Sequence, residues 1–415
     1  MAKVLVYLSN RPEFLYRQDC TVLETYCFGD GVEAAAYVDV PDDADLLDDA
    51  RVVGVEEPMT VEPLYEPAFV SEEPDDVATI EDVRRLHRVP AGEGTGAGVT
   101  VVVMDSGIDA SHPVFDDVTI REVDVTGDGS GDAVGHGTAV AGQVALLAPE
   151  ADIVSLRIFG GEGQTATNVV LRAYEWLHAN VGRYDVVNMS WGGRRRSPNL
   201  DRVHDALVEK GVRDVVAAGN TGERSGSPAT ADRAFSVGAC TVDGRMAEFS
   251  SYNPEGDNPD VTAIGKDNRL AQATGTALGT DLPGRWVKAS GTSFASPEVA
   301  GMVAKLLSLC GETPPVTVMR AFEASARDIP DQPRDGAGLA DYRGALEAVR
   351  SGSLEVGEGS EEGEEGDRAV VARLGGRTLA VFDGEAIPEG EYAVEYDDAD
   401  RGWSVRFLPV ERADR

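Results

Sequence analysis

Four residue types that together catalyse acyl transfer occur in the sequence, each in a short motif rich in small residues. They are Asp105 in "MDSGID", His136 in "GHGT", Asn220 in "VVAAGN" and Ser293 in "GTSFASP". A serine hydroxyl needs a base within hydrogen-bonding distance, and histidine has a pKa suited to that task. A carboxylate fixes the tautomer of the histidine, and an amide with a backbone N–H stabilises the developing oxyanion. The set predicts nucleophilic chemistry at a serine.

Each motif taken alone has a plainer explanation. "DSG" is usually a turn, whereas "GHGT" is a better signal because its flanking glycines allow close approach to the histidine. "GTSFASP" is the strongest single motif, because small residues around a serine let a substrate backbone approach. His87, His112, His178 and His204 lack such surroundings, and we expect them on the surface or on helix faces. The coincidence of all four motifs favours a catalytic site.

The elements around these motifs predict how the side chains meet. The apolar strand "VTVVVM" ends at Asp105, the strand "DVVAAG" ends at Asn220, and helix-like segments begin near His136 and Ser293. Apolar strands alternate with amphipathic helices from about residue 80 to 350, which predicts an α/β fold with a mostly parallel sheet flanked by helices. Functional groups of such sheets collect at the carboxyl ends of the strands.

The motifs resemble those of subtilisin-like serine proteases. The resemblance rests on "VVVMDSGIDASHP", "GHGTAVAG", "VVNMSWGG", "VVAAGN", "MAEFSSYNP" and "GTSFASPEVAG", within roughly residues 75 to 350. It implies a triad of Asp105, His136 and Ser293, with Asn220 as the oxyanion-hole amide.

The same resemblance implies two strands that flank a bound substrate. "SWGG" matches the first strand, and "GGEGQ" matches the second more loosely. Trp191 and Phe159 are expected around the pocket for the fourth residue before the cut; the alternative is that both pack in the core. The implied substrate-binding residues are Ser190, Trp191, Gly192, Gly193, Gly161 and Gly163.

The implied activity is endopeptidase hydrolysis of protein or peptide substrates through an acyl-enzyme intermediate. Two alternatives use the same chain differently. A transacylase or peptide ligase passes the acyl group to an amine, which product analysis distinguishes from hydrolysis. A latent scaffold or binding protein would not use the triad, and an intact triad argues against it.

The sequence departs from the family pattern at several positions. Phe294 stands where methionine is usual, Glu298 where histidine is common, and Ala139 where another histidine is common. After "GQVALL" the chain continues directly into "APEADIVSLRIF", without the family's calcium loop. We therefore expect no cofactor and no metal at that position, although calcium elsewhere as a structural ion stays open.

Composition changes divide the chain into four parts. Residues 1–72 predict a small α+β domain similar to an inhibitory propeptide, and 75–350 the catalytic domain. Residues 351–367 form an acidic Gly/Glu linker, and 368–415 a small β module of two hairpins. An unrelated docking domain is the alternative for the first part. As a propeptide it would be an intramolecular inhibitor, cut within the window Leu64 to Asp76.

Charge and sequence features limit the partners and the compartment. The formal net charge is −36, which disfavours nucleic acid and acidic membrane surfaces and is typical of proteins from high-salt environments. We find no signal peptide and no membrane span, so a cytoplasmic protein is expected, with export by an unrecognised route as the alternative. The four cysteines predict free thiols, although a Cys20–Cys27 bridge stays open.

The first prediction concerns salt. The chain has 73 acidic and 37 basic residues, and at about 1 M salt the screening length falls to ~3 Å. We expect the melting temperature and the catalytic activity to rise from dilute buffer to molar KCl. A flat or falling series of thermal melts across that range contradicts the halophile hypothesis.

Overall fold

The computed structural model describes residues 2–9, 12–17, 20–28, 34–41, 46, 49–65, 77–253, 259–311, 313–329 and 334–351, with five strands beyond them. The helices are α1 Ile80–Leu86, α2 His136–Leu147, α3 Thr167–Ala179, α4 Pro198–Glu209, α5 Thr292–Cys310, α6 Pro315–Ser325 and α7 Tyr342–Ser351. The strands up to residue 193 are β1 Ala2–Leu8, β2 Thr21–Cys27, β3 Ala34–Val40, β4 Val52–Glu56, β5 Thr60–Pro63, β6 Thr100–Asp105, β7 Ile120–Asp124, β8 Asp152–Arg157, β9 Thr165–Ala166, β10 Val186–Met189 and β11 Trp191–Gly193. The later strands are β12 Arg213–Ala217, β13 Ser236–Cys240, β14 Val261–Ile264, β15 Asn268–Ala271, β16 Thr280–Leu282, β17 Trp286–Ala289, β18 Ser353–Glu358, β19 Ala369–Leu374, β20 Arg377–Asp383, β21 Gly390–Asp397 and β22 Ser404–Pro409.

A seven-stranded parallel sheet forms the centre of the fold, in the order β14-β13-β12-β10-β6-β8-β7. Alternate side chains of β6 enter different cores. Val101 and Val103 pack in the hydrophobic cluster that contains α2 and α5 residues. Val102 and Met104 pack in the cluster that contains α3 and α4 residues. This period of two is the signature of a strand covered on both faces, and it confirms the predicted α/β class.

The N-terminal part forms a four-stranded antiparallel sheet in the order β2-β3-β1-β4, with a 3-10 helix over Pro12–Arg17. Its strands also alternate. Leu5 and Tyr7 belong to the same hydrophobic cluster as α3 and α4, whereas Val4 and Val6 belong to a small cluster within this part. One face of the small sheet therefore packs on the main body of the protein.

Polar contacts at two helices hold this sheet in place. Glu24 pairs with Arg172 of α3 at 2.5 Å. Glu56 accepts hydrogen bonds at 2.8–2.9 Å from Ser197, the N-cap of α4, and at 3.3 Å from Asn199. A carboxylate at a helix N-terminus interacts favourably with the helix dipole, so Glu56 strengthens docking against α4.

Five strands follow α7, in the antiparallel order β20-β19-β18-β21-β22. The two predicted hairpin pairings, β19 with β20 and β21 with β22, are present. The structure differs within the predicted linker 351–367, because β18 pairs with both β19 and β21. Its "LEV" segment has the β-branched and apolar character that favours a strand. Ser351 ends α7, whereas linker residues 352 and 359–367 and both hairpin turns lie outside the described residues.

Helix α5 passes through the main core and carries a buried carboxyl group. The Glu298 side chain is fully buried; Oε2 accepts from the Ile264 N–H at 3.1 Å, and Oε1 has no hydrogen-bond partner. His87 Nε2 lies 3.7 Å from Oε2, and His87 Nδ1 donates to the Ala340 carbonyl at 2.7 Å. Burial raises the pKa of Glu298 and lowers the pKa of His87 to about 4. Burial therefore favours the neutral form of both groups.

The second prediction follows from this burial. The unfolded chain releases the Glu298 proton near pH 4.5, whereas the folded chain retains it to higher pH. Unfolding is thus favoured as the pH rises, by up to about 1.4 kcal/mol per pH unit. His87 adds nothing above about pH 6.5, where it is neutral in both states. Glu298→Gln should flatten the loss of stability that accompanies a rise of pH above 6.5 in denaturant titrations.

The matched control is Glu347→Gln, which alters an exposed carboxylate on α7. This variant should follow the wild-type pH dependence. Equal slopes for the wild type and Glu298→Gln would show that Glu298 is not held protonated by the fold.

Candidate active site

A buried hydrogen-bonded pair lies at the carboxyl edge of the central sheet. Asp105 ends β6, and His136 begins α2. His136 Nδ1 lies 2.8 Å from Asp105 Oδ1 and 3.0 Å from Oδ2, and both side chains are almost fully buried. The Ser106 N–H also donates to Asp105 Oδ1 at 2.7 Å. A carboxylate on Nδ1 requires the proton there and leaves Nε2 as the base.

The start of α2 is fixed by Asp132, which sequence reasoning missed. Its carboxylate accepts from the backbone N–H groups of Gly135 and Thr138, from the Thr138 hydroxyl and from Ser106 Oγ, at 2.7–2.9 Å. Ser106 Oγ in turn accepts from the Gly137 N–H at 2.9 Å. Burial raises the pKa of Asp132 despite these donors. The N-cap residue of α2 is Gly135, so Asp132 reaches the helix from three residues before the cap, a position that N-cap preferences do not identify.

Ser293 lies at the N-terminus of α5, as its sequence context predicts, but its hydroxyl does not contact His136. Ser293 Oγ donates to the Ser190 carbonyl at 2.8 Å, and His136 Nε2 has no hydrogen-bond partner. Catalytic hydrogen bonds often form only in a productive substrate complex. Transfer of the serine proton to His136 therefore requires the hydroxyl to turn away from Ser190.

The backbone of Ser293 and the amide of Asn220 form the donor side of the site. Asn220 Oδ1 accepts from the N–H and hydroxyl of Thr292 at 2.9 and 2.8 Å, and its buried Nδ2 has no partner. The Ser293 N–H donates to the Leu64 carbonyl at 3.2 Å. A Cβ at Gly291 would lie 2.4 Å from that carbonyl oxygen and 3.1 Å from Asn220 Nδ2. Gly291 thus leaves room for the Leu64 carbonyl beside Asn220 Nδ2.

The chain itself occupies the groove next to these donors. Strand β5 lies between β11 and β9, antiparallel to both. Glu62 pairs with Gly192, and Pro63 with Trp191. The Leu64 N–H donates to the Ser190 carbonyl at 3.3 Å. Residues Ser190 to Gly193, which were predicted to bind substrate, therefore contact the extended backbone of residues 61–64. The carbonyl at the end of this segment, that of Leu64, accepts the Ser293 N–H.

The second flanking strand is not where the sequence placed it. Gly161 and Gly163 lie in a turn closed by the Gly163 N–H donating to the Gly160 carbonyl at 3.0 Å, and Gly163 has a φ of +68°. That conformation interrupts a strand. The strand that pairs with β5 is β9, formed by Thr165 and Ala166, so Gly161 and Gly163 do not take the predicted position.

A cavity of about 290 Å³ lies beside Leu64. Its walls include Gly192, Gly219 and Gly226. A Cβ at Gly226 would lie 1.9 Å from the Gly193 carbonyl oxygen, so a larger residue there would displace the wall. These small residues leave space for the side chain of the residue whose carbonyl lies at Ser293, which is Leu64 in this structure.

Trp191 and Phe159 are both fully buried in one hydrophobic cluster. Val61 is the fourth residue before the cut when Leu64 is counted as the first. It is also fully buried in that cluster. Trp191 and Phe159 therefore pack in the core, and the same core cluster also contains Val61, the side chain at the fourth position. Core packing and a role near the fourth-residue pocket are thus compatible.

The remaining four histidines are all buried, and two of them, His178 and His204, lie on helices α3 and α4, as the helix-face alternative predicted. His112 contacts the Arg285 carbonyl, and His178 contacts the Val203 carbonyl. His204 bridges Tyr174 and Asp214 at 2.9 and 3.0 Å. Surface placement was wrong for these residues because each polar ring finds a partner inside the fold.

The connection at the position of the family's calcium loop is short. α2 ends at Leu147 and β8 begins at Asp152, so only residues 148–151 connect them. The described part of the chain contains no group of three or more His, Cys, Asp or Glu placed to hold a metal ion. In the same residues, no helix combines the length and apolarity needed to cross a bilayer.

Comparison with known proteins gives the family. The subtilase family matches residues 96–345. Alkaline protease 1 of Aspergillus oryzae is 31% identical over 271 residues, covering 62% of this chain and 63% of that protein. Subtilisin E of Bacillus subtilis is 32% identical over 276 residues, covering 61% of this chain and 67% of that protein. The chain thus spans 63–67% of the length of these relatives. With more than half of its residues matched, the chain belongs to the subtilase family.

Proposed function

We propose that the protein is a serine endopeptidase. The observation that carries the proposal is the Ser293 N–H on the Leu64 carbonyl, beside the buried Asp105–His136 pair. A peptide carbonyl is thereby held at a serine whose neighbours supply a base and oxyanion donors. The relatives named alkaline protease and subtilisin are consistent with this activity.

The residues support a two-step hydrolysis. Ser293 Oγ transfers its proton to His136 Nε2 and attacks the carbonyl carbon, and Asp105 stabilises the resulting imidazolium. The oxyanion accepts hydrogen bonds from the Ser293 N–H and from Asn220 Nδ2. His136 then protonates the leaving amine, which leaves an acyl-enzyme at Ser293. Water, deprotonated by His136, releases the acid and restores the serine.

The third prediction concerns these residues. Ser293→Ala and His136→Ala should abolish peptide hydrolysis, because each removes a partner in the first proton transfer. Asn220→Ala should lower kcat by about 10²–10³, the loss found when the equivalent donor is removed from subtilisin. Rates on a chromogenic peptide and thermal melts of each variant provide the measurements.

Ser308→Ala is the matched control, since Ser308 is on the same helix and bonds the Gly96 N–H and the Lys305 carbonyl instead. It should keep wild-type turnover. Undiminished hydrolysis by folded Ser293→Ala would refute the proposed nucleophile.

We also propose that residues 1–64 act as an intramolecular inhibitor. Strand β5 fills the groove, and the ring of Tyr65 lies 5.4 Å from that of His136. These contacts support the Leu64–Tyr65 bond as the one presented to Ser293. It falls within the predicted window Leu64 to Asp76, of which residues 66–76 lie outside the described residues.

The fourth prediction is self-processing at this bond. The wild-type chain should mature to a protein that begins at Tyr65, whereas Ser293→Ala should remain full length. The fragment 1–64, added in trans, should inhibit hydrolysis because it places Leu64 back in the cavity. N-terminal sequencing and intact mass give the answer. A fully active enzyme that still begins near Met1 would show that this segment is not removed.

A further inference from the structure

Strand β5 occupies the groove in which we expect a substrate to bind. It therefore shows which substrate side chain would face outward, towards the arginines that follow β11. Counting back from the Leu64–Tyr65 bond, Pro63 is the second residue, Glu62 the third and Val61 the fourth. Val61 and Pro63 are buried, whereas Glu62 is partly exposed. This alternation follows from the period of two in an extended strand. The third residue is therefore the one whose side chain can meet the rim of the groove.

Arg194 contacts that side chain directly. Its Nε donates to Glu62 Oε1 at 2.9 Å. The carboxylate raises the pKa of Arg194, in keeping with a charge-assisted hydrogen bond. Gly192 and Gly193, the strand residues opposite Glu62 and Val61, have no side chains of their own. Arg194 is thus the first side chain beyond β11 that can meet the third residue.

The charge of this wall contrasts with the rest of the chain. Among the described residues, those of the enzyme that line the cavity beside Leu64 include Arg194 and Arg224 but no aspartate or glutamate. The chain as a whole has about twice as many acidic as basic residues. Arg196, two positions further on, is committed elsewhere, because it pairs with Asp201 and Asp232. Arg194, by contrast, forms its ion pair with Glu62 of β5, the strand that occupies the groove.

We propose that the subsite for the third residue before the cut selects an acidic side chain, with Arg194 as the specificity-determining residue. The inference rests on the proposed endopeptidase activity. When β5 leaves the groove, Arg194 loses Glu62, and a substrate carboxylate at the same position replaces it. Arg194 is largely exposed, with 82% of its side chain accessible, so the preference is several-fold rather than absolute.

Three peptides test the proposal on the mature wild-type enzyme. They are acetyl-Thr-Val-Glu-Pro-Leu p-nitroanilide and its analogues with Gln or Lys in place of Glu. We expect kcat/KM to be about two- to five-fold higher for Glu than for Gln, and lowest for Lys. The ratio of Glu to Gln should shrink as KCl rises, because salt screens an exposed pair.

Variants assign the preference to one side chain. Arg194→Gln should bring the Glu to Gln ratio to about one, and Arg194→Glu should favour Lys. The control Arg196→Gln removes the same charge from the neighbouring ion pair with Asp201 and should keep the wild-type ratio. Thermal melts verify that each variant is folded.

The outcomes separate the two hypotheses. If the wild type cleaves none of the three peptides and no other peptide, that result would count against the endopeptidase proposal. Cleavage with a Glu to Gln ratio of one at every salt concentration would overturn only the role of Arg194. A preference that survives in Arg194→Gln would overturn it as well.

Discussion

The parallel register of three central strands is the constraint on which the site depends. Val186 of β10 pairs with Val101 of β6 on one side and with Arg213 of β12 on the other. Since the strands run in the same direction, their carboxyl ends reach the same edge of the sheet. Asp105, Ser190 and Asn220 follow from those ends. Helices α2 and α5 then need only bring their N-termini to this edge to add His136 and Ser293.

Much of this arrangement could be predicted because its signals are local. Apolar runs that stop at a polar residue identify strand ends, and small residues around Ser293 identify a helix start open to a substrate. The alternation of strands and helices predicted the sheet for the same reason. Asp105 and His136 were placed correctly at their element ends from "VTVVVMD" and "GHGT" alone.

Features that depend on contacts between distant parts of the chain could not be predicted from local sequence signals. The pairing of Thr165 with Val61 joins two strands that are about a hundred residues apart in the sequence. Burial of His204 depends on Asp214 and Tyr174 together. The position of Leu64 at Ser293 depends on the docking of a whole sheet. Only the tertiary structure fixes such contacts, since each has two partners that are far apart in sequence.

The shared core between the small sheet and the main body has a further consequence for solubility. Leu5, Tyr7, Tyr26 and Phe28 belong to the same hydrophobic cluster as residues of α3 and α4. Departure of residues 1–64 would therefore uncover an apolar face on an otherwise highly charged molecule. Exposed apolar patches promote association, and salts that are excluded from protein surfaces strengthen that tendency. A molecule without residues 1–64 would thus present an apolar surface on which another apolar partner, or a second copy, could dock.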